Sequence, residues 1–357
     1  MQIVVVTTWF PTDRNPGAGS FIARDVAALS QDHDVRVVHL VPPELDDGSR
    51  ERRIGSVGVR SVPVDVRTPR GLVSSTRGLP ALLAGSDVVH TMAAPGLLPF
   101  VVRKPSQPWV HTEHWSGIAN LRATPKGRAV GPLIRRTFNA PGRVVAVSDY
   151  LADAIRSYRT APVDVVGNIV DLPDAVSADG VPFFRGDRLK VLGVGTVNSN
   201  KGWRFAVEAI RELQASGVPA ELVWLGGGAE YDELAAADPE HVRAPGHVPA
   251  GAVASAMAEA DVFLLPTVSE TFSLATVEAL TAGLPVVATG VGAHGAFLTP
   301  DSGRLVRREP RAIAEALRAA SVLDRTGVRA RGRELAERFD ESSFRRRYST
   351  IYEEVVR

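Results

Sequence analysis

Short runs of hydrophobic residues alternate along the chain with segments whose apolar side chains recur at helical spacing. The first run, at residues 3–6, precedes a loop rich in proline and glycine, and Ile22, Val26 and Leu29 then follow at intervals of four and three residues. Strands that alternate with helices in this way predict βαβ units and parallel sheets. Further strands are predicted in the first half at 35–41, 87–90, 109–112 and 144–147.

The same alternation restarts after a polar, proline- and glycine-containing stretch at 171–187, which is interpreted as a linker. Strands are then predicted at 189–194, 221–225, 262–265 and 285–288, and helices at 203–215, 273–282, 312–323, 329–339 and 343–356. We therefore expect an α/β protein with two doubly wound parallel-sheet domains, at 1–170 and 188–342. A ligand cleft is expected where the carboxyl ends of the two sheets face each other.

Composition supports a folded protein and excludes several classes of site. Of the 357 residues, 45% are hydrophobic and 23% are charged, which is typical of chains that form a core. The absence of cysteine excludes disulfide frameworks, thiolate zinc sites and cysteine nucleophiles. No basic leader and no apolar run of about 18 residues is present, so a cytoplasmic protein that does not span the membrane is expected.

Charge is distributed unevenly between the two halves. Residues 1–170 contain 20 basic and 14 acidic side chains, whereas 171–357 contain 21 and 26. This asymmetry suggests two modules with different partners. A nucleic-acid partner is not expected, because such proteins carry a basic face rich in exposed aromatic residues and only 6% of this chain is aromatic.

The strongest candidate for chemistry is a strand, loop and helix at 262–282. A strand ends at Pro266, Glu270 follows in the loop, and a helix is predicted from about Ser273, with Glu278 in its first two turns. The free N–H groups at such a helix start bind anions, with the helix dipole adding about 0.3–2 kcal/mol per charge. The N–H groups of Phe272, Ser273 and Leu274 are therefore predicted to form an anion site, the alternative being an acidic first turn on an ordinary helix.

A second candidate is the loop after the first strand of the second half, which contains Gly195, Thr196, Lys201 and Gly202. A glycine lets the backbone approach a ligand, and a lysine brings a point charge to a phosphate. Lysine is rare in this chain, with 4 residues beside 37 arginines, so its presence in this loop is unexpected. The loop is not a P-loop, because Lys201 is followed by glycine rather than serine or threonine. A solvated lysine at a helix start is the alternative.

Weaker signals occur at three further loops. His111, Glu113 and His114 lie at and after a predicted strand, where a histidine is as often a structural hydrogen-bonding residue as a catalytic one. Only His111 and Glu113 could share a metal ion, because neighbouring strand residues point to opposite faces. The loop that contains Gly17 and Gly19, and the turn at 226–228 that contains Gly227, are glycine-rich, which is typical of many βα turns.

Together these segments resemble the retaining family-4 glycosyltransferases, also described as glycosyl transferases group 1, which have the GT-B fold. The resemblance rests on two glutamates separated by seven residues (Glu270 and Glu278) and on the Lys201-Gly202 loop. It covers nearly the whole chain and is strongest from 191 to 306. Thr196 departs from the family pattern, which commonly has arginine there, and Ala296 replaces a usual glutamate.

The resemblance implies two Rossmann-like domains, with a final helix at about 343–357 that returns to the N-terminal, acceptor-side domain. It implies transfer of a sugar, with retention of configuration, from a nucleoside diphosphate sugar bound by the C-terminal domain. A UDP- or GDP-sugar is the expected donor, and a small molecule, lipid or glycan the acceptor. No metal and no cofactor beyond this co-substrate is expected.

The resemblance also assigns roles to individual residues. The implied catalytic residues are His114, Lys201 and Glu270, and Glu278 is expected to bind the nucleotide ribose. The full set of implied donor-binding residues is Gly19, Gly195, Thr196, Lys201, Gly227, Phe272, Ser273, Leu274 and Glu278. Alternatives that stay open are a GT-B epimerase or phosphorylase, a nicotinamide-dependent oxidoreductase (although no Gly-x-Gly-x-x-Gly follows a first strand), and a non-catalytic two-lobed binding protein.

A basic segment lies between His114 and Ser148, where no acidic residue occurs. It has two interpretations. One is an ordinary solvated face; the other is an acceptor-side surface that attracts an anionic acceptor or the headgroups of the inner membrane face. Its basic residues are Arg122, Lys126, Arg128, Arg135, Arg136 and Arg143.

Overall fold

The computed structural model of the protein describes residues 1–15, 17–121, 124–170 and 182–357. It divides into two compact units. Unit 1 contains Met1–Ile169 together with Glu341–Arg357, and unit 2 contains Val170–Asp340. The chain therefore leaves unit 1 once and returns to it with its last helix.

The described residues of unit 1 form an eight-stranded sheet in the order β3-β4-β2-β1-β5-β6-β7-β8, in which every neighbouring pair except β3 and β4 is parallel. The central strands β1, β5 and β6 are almost completely buried. Parallel strands whose two faces are both covered are typically rich in apolar residues such as valine. The strands are β1 (Gln2–Thr7), β2 (Asp34–Val41), β3 (Glu51–Ile54), β4 (Val57–Pro63), β5 (Val88–Met92), β6 (Trp109–Glu113), β7 (Arg143–Ala146) and β8 (Asp164–Val165).

Helices cover this sheet, and the last of them comes from the far end of the chain. Tyr348 and Tyr352 of the last helix are buried against the sheet, where their hydroxyls lie 2.8 Å from Thr112 Oγ1 and 2.7 Å from His90 Nδ1. The helices of unit 1 are α1 (Ser20–Leu29), α2 (Pro69–Leu83), α3 (Ala94–Val102), α4 (Gly117–Asn120), α5 (Pro125–Phe138), α6 (Asp149–Arg156) and α14 (Glu341–Val356), with a short 3₁₀ helix at Pro43–Leu45.

The antiparallel pair β3–β4 differs from the sequence prediction, which contained only parallel sheets and no strand between 41 and 87. The two strands form a hairpin whose loop is Gly55 and Ser56. A two-residue loop that begins with glycine favours the primed turns that match strand twist. The hairpin was missed because β3 is charged on its exposed side and carries little hydrophobic signal.

The described part of unit 2 forms a six-stranded parallel sheet in the order β11-β10-β9-β12-β13-β14. This is the doubly wound 3-2-1-4-5-6 arrangement of dinucleotide-binding domains. Its strands are β9 (Leu189–Val194), β10 (Ala220–Leu225), β11 (Val242–Gly246), β12 (Val262–Leu265), β13 (Val286–Thr289) and β14 (Gly303–Val306). Its helices are α7 (Trp203–Ala215), α8 (Tyr231–Ala237), α9 (Ala250–Glu259), α10 (Leu274–Thr281), α11 (His294–Phe297), α12 (Pro310–Ser321) and α13 (Arg325–Arg338).

Most of the interpreted linker, residues 171–181, lies outside the described residues. The part that follows packs on unit 2. The Phe183 N–H donates to Glu259 Oε2 at 2.9 Å, the Arg185 N–H donates to Glu221 Oε1 at 2.6 Å, and Phe184 is buried. In the described residues, no helix is long and apolar enough to cross a membrane.

Candidate active site

Lys201 lies in the loop that joins β9 to α7. Asn198 Oδ1 accepts a hydrogen bond from the Lys201 N–H at 3.0 Å and fixes the turn before the lysine. The next residue, Gly202, has φ 77° and caps α7; a Cβ there would lie 2.1 Å from the carbonyl oxygen of Pro266. Only glycine fits this approach, so the lysine loop is held directly against the end of β12.

Two charged residues that the sequence analysis did not single out brace the same loop. The Glu230 carboxylate accepts hydrogen bonds from the Ser199 N–H and from Trp203 Nε1, both at 2.8 Å. These bonds and Arg204 hold the pKa of Glu230 below its usual value. From the segment after β14, Arg308 donates to the carbonyl oxygens of Ser199, at 2.8 Å, and Pro266, at 3.0 Å. Glu230 could have been noticed in the sequence, because it is an acidic residue just after the glycine-rich turn at 226–228. No motif near Arg308 indicates its role.

The Lys201 ammonium contacts the Glu270 carboxylate, although the two residues are 69 positions apart. Their side chains are 24% and 10% exposed, respectively. The structure therefore brings together two of the three residues predicted to be catalytic.

Three backbone amides lie next to this ion pair at the start of α10. The N–H groups of Phe272, Ser273 and Leu274 make no hydrogen bond with any described residue. The helix begins at Leu274, one residue later than predicted, because Ser273 is the cap and has a left-handed backbone with φ 69° and ψ 67°. Such a conformation costs a non-glycine residue on the order of 1 kcal/mol, so something must hold it.

His294 supplies that support. Its Nδ1 lies 2.8 Å from the Thr289 carbonyl oxygen, which can only accept, so the proton is on Nδ1 and Nε2 is an acceptor. Nε2 lies 2.9 Å from Ser273 Oγ. Burial lowers the pKa of His294, so the ring is neutral. No sequence pattern pointed to His294, because it lies in the 290–296 loop, where the resemblance to the family is poor.

The remaining donor-binding residues predicted in unit 2 lie at the same sheet edge. Gly195 follows β9 and Gly227 follows β10, and the Val197 N–H donates to the Gly227 carbonyl oxygen at 2.9 Å. Thr196 is exposed in the lysine loop. Glu278 is half-buried in the second turn of α10. The carboxyl ends of β9, β10 and β12 therefore carry all the predicted residues of this unit.

Gly19 and His114 belong to unit 1. Gly19 caps α1 with φ 64°, and a Cβ there would lie 2.4 Å from the Trp9 carbonyl oxygen, so glycine is required. His114 follows β6, is 6% exposed and packs on the Phe21 ring at 4.8 Å between centroids. Burial lowers its pKa to about 3. Neither ring nitrogen has a hydrogen-bond partner in the described part of the chain.

Glu113, the residue before His114, has a different environment from Glu270. It is completely buried, and its Oε1 accepts from the N–H groups of Ala94, at 3.1 Å, and of His114 and Trp115, both at 2.8 Å. Its Oε2 lies 3.4 Å from His111 Nε2. Glu113 therefore positions the loops after β5 and β6. Among the described residues, no group of three or more acidic or histidine side chains is placed to hold a metal ion.

The basic segment of unit 1 is only partly described. Arg122 and the side chains of Lys126 and Arg128 lie outside the described residues. Arg135 and Arg136 are exposed on α5. Arg143 is already paired, with Asp164 at 2.8 Å and Glu354 at 2.7 Å, so it adds no free charge to that surface.

Comparisons with known proteins agree with this architecture. The Glycosyltransferase Family 4 model matches residues 17–173, and the Glycosyl transferases group 1 model matches residues 188–321. A phosphatidyl-myo-inositol mannosyltransferase of Mycolicibacterium smegmatis is 31% identical over 75% of this chain and 70% of its own length. A 2-deoxystreptamine glucosyltransferase of Streptomyces kanamyceticus is 29% identical over 54% of this chain, which spans only 56% of that relative.

Solved structures are similar over the whole chain. Sucrose-phosphate synthase from Thermosynechococcus elongatus has a TM-score of 0.80 at 18% identity and covers 99% of both chains. HepE from Anabaena, solved with UDP and glucose, has a TM-score of 0.76 at 16% identity and covers 99% of this chain and 100% of its own.

Two Rossmann-like units with parallel sheets, together with these structural neighbours, define a GT-B fold. The chain belongs to the group 1, family-4 glycosyltransferases.

Proposed function

We propose that this protein transfers a sugar from a nucleoside diphosphate sugar to an acceptor, with retention of configuration and without a catalytic metal. The observation that carries the proposal is the Lys201 ammonium against the Glu270 carboxylate, which is followed at the start of α10 by three amides that have no hydrogen-bond partner among the described residues. Family membership supports the reaction class.

The chemistry requires a site for negative charge that develops on the departing diphosphate. An ammonium and preorganised backbone N–H groups stabilise such charge, and each donor of this kind contributes about 10²–10³ to kcat. Lys201 supplies the ammonium, and Phe272, Ser273 and Leu274 supply the amides. Because Thr196 replaces the usual arginine of the family, these four groups carry the stabilisation in our proposal.

The lysine loop and α10 divide the remaining roles. When a donor binds, the diphosphate competes with Glu270 for Lys201, and the released Glu270 carboxylate accepts hydrogen bonds from the transferred sugar. Glu278, one turn further along α10, accepts from the ribose hydroxyls. Gly195 and Gly227 leave room for the nucleoside at the ends of β9 and β10.

Retention follows from attack on the face from which the diphosphate leaves. The bond between the anomeric carbon and the diphosphate oxygen breaks, and the acceptor oxygen bonds to the same face of that carbon. The acceptor proton passes to the leaving phosphate oxygen, so no protein nucleophile is required. His114 has a neutral ring, and neither ring nitrogen has a partner among the described residues. It is therefore suited to hydrogen-bond a sugar hydroxyl rather than to act as a general acid.

The donor is proposed to be a UDP- or GDP-sugar. HepE was solved with UDP, and a Mycobacterium tuberculosis relative, 35% identical over 35% of this chain, is named a GDP-mannose-dependent mannosyltransferase. Relatives named as acting on phosphatidylinositols and on 2-deoxystreptamine support a lipid or small-molecule acceptor.

The test is a thermal-shift screen of UDP-, GDP-, ADP- and dTDP-sugars, followed by product analysis with the donor that binds. At least one donor should raise the melting temperature more than its nucleoside monophosphate does, because ligand binding stabilises the folded state. Product formation should survive EDTA. A melting temperature unchanged by every donor would contradict the proposal, and activity that EDTA abolishes and Mn²⁺ restores would contradict metal independence.

A further inference from the structure

A groove of about 520 Å³ lies on the outer face of the unit 1 sheet, at the edge formed by β2, β4 and β3. Strand register places Arg36, Gly58 and Arg53 in one row, because Gly58 pairs with Arg36 on β2 and with Arg53 on β3. Neighbouring strands are about 4.8 Å apart, so the two arginine backbones lie about 10 Å apart, on either side of a glycine. Both side chains stand on the same face and are exposed.

These two arginines have no acidic partner among residues 1–15, 17–121, 124–170 and 182–357. Arg36 donates to the Ala84 carbonyl oxygen at 2.6 Å, and Arg53 donates to the Ser56 carbonyl oxygen at 2.8 Å. Each guanidinium has five N–H donors, so both retain donors for a ligand. Within the described lining, Glu51 is the one carboxylate, and it is paired with Arg60. The groove therefore carries a net positive charge.

At the floor of the groove, Gly58 leaves space that no side chain fills, and one wall of the groove is apolar. A Cβ added at Gly58 would meet nothing within 4 Å. Ala81 and Leu82 of α2 line one side. The strands beneath the groove belong to the hydrophobic core, where Val37 and Val59, which are also part of the lining, are buried.

We propose that this groove binds a small molecule that carries a phosphate or diphosphate group. Its volume is in the range of ligand sites, which is about 300–1,000 Å³. The two guanidinium groups that flank a glycine have no acidic partner among the described residues, and they suit the bidentate geometry of phosphate. The groove lies along the amino-terminal half of β2, whereas Gly19 and His114 follow the carboxyl ends of β1 and β6. It is thus separate from the unit 1 residues assigned to sugar transfer, and the proposal does not depend on that assignment.

The experiment is a calorimetric titration of the full chain with pyrophosphate, carried out in the Lys201→Ala background to weaken the donor-site contribution. Arg36→Gln and Arg53→Gln should each weaken binding about tenfold, the effect expected from losing one charged hydrogen-bonding group. Gly58→Phe should abolish binding by filling the groove, with an unchanged melting temperature. Arg311→Gln, an equal charge change on an exposed arginine of α12, should have no effect.

Two results would overturn the proposal. One is that the Lys201→Ala protein does not bind pyrophosphate, or that it binds pyrophosphate with the same affinity when Arg36→Gln, Arg53→Gln or Gly58→Phe is added. The other is sedimentation with anionic phospholipid vesicles that requires Arg36 and Arg53 while pyrophosphate does not bind, since the groove would then be a membrane contact. If Gly58→Phe fails to fold, the two arginine variants decide the question.

Discussion

Glu113 of unit 1 and Glu270 of unit 2 are both carboxylates that lie near the carboxyl end of a central strand, but their surroundings differ. Glu113 is completely buried and accepts hydrogen bonds from three backbone amides. The Glu270 side chain is 10% exposed and pairs with one ammonium, that of Lys201. The amides of the residues that follow it, 272–274, have no hydrogen-bond partner among the described residues.

This difference shows how the same type of strand end can serve structure or ligand binding. Where backbone amides saturate a carboxylate, it fixes the loops and has no capacity left for a ligand. Where the amides have no carboxylate to bind and the carboxylate pairs with a lysine, the amides and the ammonium can both bind an incoming anion. We therefore expect substitution of Glu113 to lower the stability of the fold, and substitution of Glu270 or Lys201 to lower activity.

The largest expected effect is on the pH dependence of the free energy of unfolding, through a buried carboxyl group of unit 1. Unit 1 has more buried polar residues than unit 2 among the described residues. Burial raises the pKa of Asp25 to about 8. The folded state then keeps a proton that the unfolded state releases above its ordinary pKa of 3.8. The free energy of unfolding should fall as pH rises from 4 to 8, by about 1.4 kcal/mol per pH unit from this group.

Asp25→Asn should flatten that slope, which urea unfolding at pH 5 and pH 8 would measure. Asp153→Asn is the matched control, because Asp153 lies on the surface of α6 with a side chain that is 75% exposed. Equal slopes in the wild type and the Asp25 variant would show that the Asp25 carboxyl is not held protonated in the fold.

The next effect is on turnover in unit 2. Lys201→Ala should reduce kcat by about 10²–10³, because it removes the one side-chain cation assigned to the leaving diphosphate. Its melting temperature should stay close to that of the wild type. Lys190→Ala, a change of another lysine in the same unit, should leave kcat unchanged. The rate at which nucleoside diphosphate is released from the donor measures kcat for both variants. A kcat of Lys201→Ala equal to that of the wild type would show that Lys201 has no role in the mechanism.

Glu113→Ala should lower the free energy of unfolding by about 2–3 kcal/mol, because it leaves buried amides without an acceptor. Glu270→Ala should lower it by about 1 kcal/mol or less, because the ammonium left behind, that of Lys201, is 24% exposed and can be solvated. Chemical denaturation of both variants provides the direct contrast. Comparable losses of stability would mean that Glu270 is as structural as Glu113.

The smallest effect tests the bracing of the lysine loop. Glu230→Gln should raise the donor KM about tenfold, because it weakens the hydrogen bonds to Ser199 and Trp203. Glu233→Gln is the matched control, since Glu233 shares Arg204 with Glu230 but has no contact with the loop in the described hydrogen bonds. A similar KM for the two variants would show that Arg204, rather than the loop contact, matters.

Local signals in the sequence predicted a large part of this molecule. The bounds of β9, β12 and α7 were predicted to the residue, because each combines a continuous apolar pattern with clear ends. Lys201 and Glu270 were expected at one site because the family resemblance implies a role for both in catalysis with the sugar donor. The structure adds that their side chains touch.

The parts that were missed depend on contacts between distant segments. Arg308 reaches the Lys201 loop from a position 107 residues later, and His294 supports Ser273 from the next βα loop. No pattern within a window of residues contains such contacts. The β3–β4 hairpin was missed for a different reason: its exposed face is charged, so the strand lacks the apolar run that the prediction relied on.

In our proposal, Lys201 and the amides at the start of α10 hold the diphosphate of the donor. The decisive experiment is a calorimetric titration of the wild type and Lys201→Ala with the nucleoside diphosphate and with the parent nucleoside. We expect at least about tenfold weaker diphosphate binding in the variant, with nucleoside binding unchanged. Equal diphosphate affinity in the two proteins would contradict it.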